Sequence, residues 1–194
     1  MALPPFEELL AAAIQAHGGH ACPGQVLGTR LALLGLREIG IDDPVAQRKQ
    51  FLVYVEIDRC AADAIQAVTG CRVGKRTLKV MDYGILAATF VRLDRDLAVR
   101  VVARDDARER VAEYTDLPGT KYERQTDAYR RMPDDLLFRF ERVHVTVPEE
   151  DLPGPPLSRV ICDRCGDAVQ DRREVLVGDL TLCRPCAAGG YYRR

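Results

Sequence analysis

The pattern of apolar and polar positions predicts two helices at the start of the chain. Residues 6–16 are largely apolar, follow a pair of prolines, and carry two acidic residues in the first turn, where a helix has its positive end. A His-Gly-Gly-His segment ends this helix. A second helix is predicted from Cys22 to about Ile39, because Pro23 suits the first helical position, where the backbone N–H has no helical partner.

Alternating apolar and polar residues predict a sheet in the middle of the chain. The predicted strands are 51–58, 78–83, 87–93, 98–103 and 142–147, and the predicted helices among them are 60–68, 105–114 and 121–132. This order of elements predicts an α+β fold with an antiparallel or mixed sheet and helices packed against it.

A proline-rich stretch divides the chain. Residues 151–156 read Asp-Leu-Pro-Gly-Pro-Pro, a composition typical of an extended, semi-rigid linker. We therefore expect a core domain over residues 1–148, a linker over 149–158 and a small module over 159–194. A chain of 194 residues is long enough for one ordinary domain and one small one.

The small module contains two CxxC pairs with 17 residues between them: Cys162 with Cys165, and Cys183 with Cys186. Two thiolates in one tight turn can bind a single metal ion, and a hairpin that returns a second pair completes a tetrahedron. The spacing therefore predicts a structural zinc site. Two disulfides or redox dithiols are the alternative.

The order of elements in the module resembles a treble-clef finger. A knuckle at the first CxxC is followed by a predicted hairpin over 169–182, which turns at residues 178–179, and by a second CxxC that opens a short helix. So small a module cannot bury a sufficient core, so zinc would supply most of its folding energy.

Charge argues against nucleic acid as a partner. The net charge of the chain is −1, and the acidic residues of the module offset most of its arginines. These arginines are Arg159, Arg164, Arg172, Arg173, Arg184, Arg193 and Arg194. Because a basic face with interleaved aromatic residues is missing, we expect no nucleic-acid binding and favour protein contact or dimerisation.

The N-terminal segment predicts a cytoplasmic location. It has no basic residues ahead of its apolar stretch, and that stretch is too short and too interrupted to span a membrane. We therefore expect no membrane association. Seven cysteines in a cytoplasmic protein are better explained by metal binding or reactivity than by disulfides.

Outside the module, Cys22 and Cys60 both fall at predicted helix starts, and His20 lies two residues before Cys22. A helix N-terminus favours the thiolate, the form that binds metals and attacks electrophiles. The three residues are therefore candidates for a metal site or a reactive-thiol site. The alternative, that both cysteines are merely small buried residues, stays open.

Residues 70–77 resemble a phosphate loop only superficially. Three residues separate the two glycines instead of four, and Arg76 follows Lys75 where a P-loop has Ser or Thr. ATP binding is therefore excluded. Lys75 is either an anchor for an anionic or carbonyl group or a solvated surface lysine. His144, in a predicted strand, is expected to be structural.

Three segments together resemble the FmdE family of formylmethanofuran dehydrogenase proteins. They are HGGHACPGQVLGTRLALLG at 17–35, EIDRCAADAIQAVTGCRVGKRTLKVMDYGILAATFV at 56–91, and the CDRC…CRPC pairs. The resemblance covers nearly the whole chain. The first motif of the family is HGHxCPG. Here His20 and Cys22 match it, whereas its first histidine falls on Gly18, and His17 lies one place earlier.

The resemblance implies an α+β core with a cleft lined by His20, Cys22 and Cys60, with Cys71 and Lys75 nearby. It also implies a homodimer whose treble-clef fingers can pack across the dimer. The family is named for a molybdenum or tungsten enzyme of one-carbon metabolism that reduces carbon dioxide onto methanofuran, so the other subunits of such a complex are expected partners. This chain is too short for a molybdopterin-binding catalytic component and lacks ferredoxin-type cysteine clusters, so it cannot run that chemistry alone.

Three hypotheses follow. The first is an FmdE-like accessory protein that binds structural zinc in its finger and a second metal, of open identity, through His20, Cys22 and Cys60. The second is an enzyme in which Cys60 or Cys22 is the nucleophile or redox thiol, His20 the general acid or base, and Lys75 an anion anchor. The third is a regulator whose zinc finger contacts nucleic acid.

Overall fold

A computed structural model describes residues 3–192 of the chain. Arg193 and Arg194, which belong to the arginines of the C-terminal module, lie outside the described residues. The chain divides after Thr146 into two compact units, and each is described by itself.

The first unit confirms the predicted α+β fold. One mixed sheet has the order β2-β1-β3-β4-β5, in which β1 and β2 are parallel and the other neighbours are antiparallel. The strands are β1 (Phe51–Val55), β2 (Leu78–Val80), β3 (Ala87–Arg92), β4 (Leu97–Ala103) and β5 (Phe138–Val143). The helices are α1 (Phe6–Ala16), α2 (Pro23–Glu38), α3 (Cys60–Thr69), α4 (Val111–Tyr114), α5 (Lys121–Arg131) and α6 (Asp134–Leu137).

Four predicted elements of the first unit differ from the structure by more than one residue at an end. The predicted strands 51–58 and 78–83 end early, at Val55 and Val80, and the predicted helix 105–114 is a 3-10 turn over Asp105–Arg108 followed by α4. The last strand of the sheet begins at Phe138 rather than at residue 142. Apolar and polar residues alternate over 138–141 and again over 142–147, with one break at Glu141 and Arg142, so the pattern marks a strand without fixing its ends. His144 consequently lies beyond the strand and is exposed.

Helix α2 packs against the sheet at a point where a side chain would not fit. The ring of Phe90, fully buried in β3, lies so close to Gly35 that a Cβ there would come within 2.2 Å of the ring. The side chains around this contact form the hydrophobic core of the unit. Among its fully buried members are Leu31 and Leu36 of α2, and Phe51 of β1.

Helix α2 also packs closely against α3. A Cβ on Gly28 would lie 2.6 Å from the carbonyl oxygen of Ala61, and a Cβ on Gly24 would lie 3.1 Å from Cβ of Cys60. The two glycines are four residues apart and therefore share one face of α2. This contact fixes the start of α3 against the first turns of α2.

The second unit contains two small antiparallel pairs and a short helix. Its elements are β6 (Arg159–Ile161), β7 (Ala168–Gln170), β8 (Val175–Val177), β9 (Leu180–Leu182) and α7 (Arg184–Ala188). The predicted turn at residues 178–179 is confirmed, because it joins β8 to β9. The predicted hairpin over 169–182 is shorter than expected, since β7 pairs with β6 instead.

The proline-rich stretch is held by the second unit. Glu149 and Asp151 lie in a 3-10 turn and pair with Arg172 and Arg173, the first of these pairs at 2.8 Å. The backbone N–H of Leu157 donates to Asp171. These bonds tie the stretch to the turn that follows β7.

Among the described helices, none combines the length and the apolar composition that crossing a lipid bilayer requires.

We expect Gly28→Ala to lower the free energy of unfolding by about 1–3 kcal/mol, because its methyl group would push α2 away from the backbone of Ala61. Urea denaturation followed by circular dichroism measures the change. Gly74→Ala is the matched control, since no atom lies within 4 Å of the methyl group it would add. Equal midpoints for the two variants would contradict the close packing of α2 and α3.

Candidate functional site

Three side chains from different elements meet in the first unit. Each of His17, Cys22 and Cys60 offers one potential ligand atom, and these three atoms lie within 4.8 Å of one another. His17 follows the last residue of α1, Cys22 precedes α2, and Cys60 is the first residue of α3. All three side chains are partly buried, and both cysteines are free thiols.

The position of His17 follows from the packing of α1 against α3. Its Nδ1 is 2.7 Å from a carboxylate oxygen of Asp63, which lies in the first turn of α3 and three residues after Cys60. With Nδ1 bound to a carboxylate, Nε2 is the ring nitrogen left for a metal or a proton. A carboxylate that accepts a hydrogen bond from a histidine in this way fixes the tautomer and the orientation of the ring.

The position of Cys60 is fixed by α2. The side-chain amide of Gln25, itself fully buried, donates to the carbonyl oxygen of Cys60 at 2.9 Å. The Cβ position of Gly24 lies 3.1 Å from Cβ of Cys60 and 3.6 Å from Sγ of Cys22, so a larger residue there would intrude between the two thiols. Burial raises the pKa of the Cys60 thiol, and a hydrogen bond with Cys22 raises this pKa further.

His20, predicted from the sequence as a core ligand, is not one of the three clustered residues. Gly18 and Gly19 both adopt left-handed backbone angles, with φ of 86° and 83°, and this turn leads the chain from His17 to an exposed His20. His20 lines a cleft next to Cys22. The structure thus brings His17 to the thiols, and a direct chemical role for His20 stays a prediction.

Cys71 and Lys75, expected near the cleft, lie elsewhere. Cys71 is 3% exposed and packs in the hydrophobic core, where burial raises its thiol pKa. Lys75 is exposed in a 3-10 turn and lines neither of the clefts that contain Cys22. Neither residue belongs to the cluster of His17, Cys22 and Cys60.

Two clefts open beside the clustered residues. The larger, of about 650 Å³, is lined by residues that include His20, Cys22, Leu117 and Tyr122. The smaller, of about 370 Å³, is lined by both Cys22 and Cys60 and by residues of α5. Cys22 and Tyr122 line both clefts, so a small molecule in either of them reaches Cys22. No signal in the sequence pointed to α5 as a wall of the site.

The four cysteines of the second unit form a second cluster. One sulfur from each of Cys162, Cys165, Cys183 and Cys186 lies within 4.8 Å of the others, and the sulfurs of Cys165 and Cys183 are 3.7 Å apart. Two thiolates on a tetrahedral zinc ion, bound at about 2.3 Å each, lie about 3.8 Å apart. All four are free thiols rather than disulfides. The donor set and its geometry therefore fit zinc.

Electrostatics within this cluster favour a bound cation. The backbone N–H of Cys183 donates to the sulfur of Cys162 and lowers the pKa of this thiol to about 6. The sulfur of Cys183, burial and the other neighbouring sulfurs raise the pKa of Cys186 to about 12. At neutral pH, Cys162 is therefore largely a thiolate, whereas the raised pKa values of Cys165 and Cys186 keep these two thiols protonated. A divalent cation that displaces their protons would compensate the negative charge of the thiolates.

A curated relative and a solved structure are similar to nearly the whole chain. A probable S-adenosyl-L-methionine-binding protein of Archaeoglobus fulgidus is 27% identical over 205 residues, which cover 95% of this chain and 53% of that protein. The chain therefore spans about half the length of this relative. A tungsten formylmethanofuran dehydrogenase FmdE-like protein from Syntrophus aciditrophicus has the same fold, with a TM-score of 0.63 and 20% identity, over 97% of this chain and 95% of that one.

Two family models match separate parts of the chain. Residues 156–192 match the prokaryotic DksA/TraR C4-type zinc finger, which agrees with the four clustered cysteines. Residues 17–139, well over half of the chain and including His17, Cys22 and Cys60, match FmdE, described as molybdenum formylmethanofuran dehydrogenase operon. The chain therefore belongs to the FmdE family and carries a C-terminal four-cysteine zinc finger.

Proposed function

We propose that this FmdE-family protein is a metal-binding accessory protein whose core holds a second, thiophilic divalent metal through His17, Cys22 and Cys60. The observation that carries the proposal is the convergence of these three side chains within 4.8 Å, because Cys60 is 38 residues from Cys22 in sequence and is brought to the other two by the packing of α3. Two thiolates and one imidazole are the donors that zinc and related soft metals prefer.

The number of protein ligands gives the two metal centres different roles. A zinc ion with four cysteine ligands has no free position and stabilises a fold, whereas three protein ligands leave one position for water or substrate. The core cluster has three such ligands and lies beside two clefts. A metal bound there would be accessible to a small molecule, while the finger would be structural.

The alternative of a stand-alone enzyme with a reactive core cysteine receives less support. A nucleophilic thiol needs a lowered pKa, whereas burial raises the pKa of Cys60. A bound cation would reverse this effect, since it stabilises both thiolates. Mass spectrometry after brief alkylation separates the alternatives, because a reactive-thiol enzyme would be labelled at one core cysteine well ahead of the others.

Regulation through nucleic acid also receives little support from the finger. Arg172 and Arg173 pair with acidic residues of the same unit, and Arg164 contacts the carbonyl oxygen of Cys186. These arginines are therefore already engaged. A protein that binds nucleic acid through this unit would show an affinity that falls steeply with salt concentration.

As partners we propose a second copy of this chain and, through the family, the other proteins of a molybdenum or tungsten enzyme complex. The exposed apolar residues Leu176, Val177 and Leu180 on the β8–β9 hairpin offer either partner an apolar surface to bury. Analytical ultracentrifugation of the full chain measures self-association directly.

We expect purified protein to hold about two metal ions per chain, and Cys22→Ser combined with Cys60→Ser to reduce this to about one. Elemental analysis by mass spectrometry measures both values. Cys71→Ala is the control. Cys71 is buried in the hydrophobic core and belongs to neither cluster of potential metal ligands, so this substitution should leave the metal content unchanged. An equal metal content in the wild type and the double variant would exclude the core site.

We expect Asp63→Ala to weaken the core metal about 10- to 100-fold without loss of metal from the finger, because the ring of His17 would lose its orienting carboxylate. Competition with a chromogenic chelator measures the affinity. Asp58→Ala is the matched control, since Asp58 is an exposed residue close in sequence to Cys60 that belongs to neither cluster. Identical affinities for the two variants would show that Asp63 does not orient His17.

We expect a strong chelator to unfold the second unit while the sheet of the first unit stays folded. Few side chains of the second unit are buried, Cys162 and Leu182 among them, so zinc supplies most of the order of this unit. Hydrogen exchange followed by mass spectrometry resolves the two units. Unchanged protection of residues 159–188 after complete zinc removal would refute the dependence on metal.

A further inference from the structure

The smaller cleft beside the thiols has a basic wall. Besides Cys22 and Cys60 it is lined by Arg108 and Lys121, and no acidic residue is among the described residues that line it. An adjoining recess of about 320 Å³ shares Arg108 and Lys121 and adds Arg124, with Glu109 as its acidic member. Positive charge therefore continues from the thiols outward along one side of α5.

The basic side chains of this wall retain N–H donors that no other side chain of the described residues occupies. Within residues 3–192, the side chain of Lys121 makes no ion pair or hydrogen bond, and the same holds for Arg124. Arg108 pairs with Asp105 at 3.2 Å through Nε, so the terminal nitrogens of its guanidinium remain available. Exposed cations without partners that line a concave surface raise the local concentration of anions.

The larger cleft differs, because two acidic residues, Glu123 and Asp127, line it together with Arg130 and oppose the entry of an anion. Glu123 accepts hydrogen bonds from the backbone and side chain of Thr120 as part of a helix cap. Asp127 pairs with Arg131 at 2.8 Å, and Arg130 lies 3.6 Å from Glu7. Of the two clefts that reach Cys22, the smaller one is therefore the one that can accept an anion.

We propose that Arg108 and Lys121 form an oxyanion subsite, which binds the carboxylate or phosphate group of a small ligand whose reacting end lies at Cys22 and Cys60. The proposal rests on the proposed function for the role of that reacting end, but the binding of the anion does not require a metal. In this proposal Lys121, which lines the cleft, takes the role of anion anchor that one of the sequence-based hypotheses gave to Lys75.

Alkylation by a charged and a neutral reagent tests the subsite. In iodoacetate and iodoacetamide alike, the cysteine thiolate displaces iodide and forms a thioether, so the reagents differ chiefly in the charge of the arriving group. The full-length protein is stripped of core metal with a chelator, and peptide mass spectrometry measures the rates at Cys22 and Cys60. We expect Lys121→Gln with Arg108→Gln to lower the iodoacetate rate about tenfold and to change the iodoacetamide rate less than about twofold.

Lys75→Gln is the matched control for Lys121→Gln alone, because each removes one positive charge from an exposed lysine and Lys75 lies outside the cleft. Its ratio of the two rates should equal that of the wild type. A double variant with the wild-type ratio would overturn the subsite, and so would an equal loss in Lys75→Gln. Fast labelling of the buried Cys71 would reveal a misfolded variant, and Lys121→Gln alone would then provide the comparison.

Competition identifies the source of the oxyanion. Inorganic phosphate and acetate are compared at equal ionic strength for their ability to slow iodoacetate labelling. Stronger protection by phosphate indicates a phosphate-bearing ligand, and stronger protection by acetate indicates a carboxylate. Protection by neither ion would overturn a defined subsite. The metal content of the Cys22 and Cys60 variants reports on the core metal independently, so the subsite and the metal site can fail separately.

Discussion

The close approach of α2 and α3 is the constraint on which the core site depends. Two glycines four residues apart, Gly24 and Gly28, remove the side chains that would otherwise hold the helices apart. The buried amide of Gln25, on the same turns of α2, then reaches the carbonyl oxygen of Cys60. Because Cys22 and Cys60 are at the starts of these two helices, the backbone contact sets the distance between their sulfurs.

This arrangement has opposing electrostatic consequences. Each thiol lies at the positive end of a helix, which favours the thiolate, but partial burial and the neighbouring thiol raise the pKa of Cys60. Burial is therefore the stronger influence in the metal-free protein. A cation bound between the sulfurs would compensate both thiolates at once, and the helix ends would then add to its affinity. The same geometry that raises the pKa of Cys60 in the metal-free protein thus suits this thiol to be a ligand.

The sequence predicts features set by short spacings better than it predicts contacts between residues that are far apart along the chain. Both CxxC pairs and the turn at residues 178–179 are encoded in short spacings, so the finger and its ligands could be predicted directly. The core cluster joins residues 17, 22 and 60 through the packing of α1 on α3, which no spacing contains. His17 lies one place away from the family motif, so the motif did not predict its place in the cluster. No pattern in the sequence indicated that α5 lines the clefts beside the thiols. The last strand was misplaced because its alternation continues beyond the residues that pair.

The zinc finger and the proposed core metal site differ in the kind of structure that builds them. In the finger, the ligands and the fold depend on each other, since few apolar side chains are buried there. In the core, a hydrophobic interior of helices on a sheet exists independently of the cluster, and Gly35 and Phe90 lock α2 to that sheet. A site whose scaffold folds without the metal can leave one metal position open, because no ligand is needed to complete the fold. We therefore place the proposed binding of a small molecule at the core, where the thiols, an oriented imidazole and a basic wall lie close together.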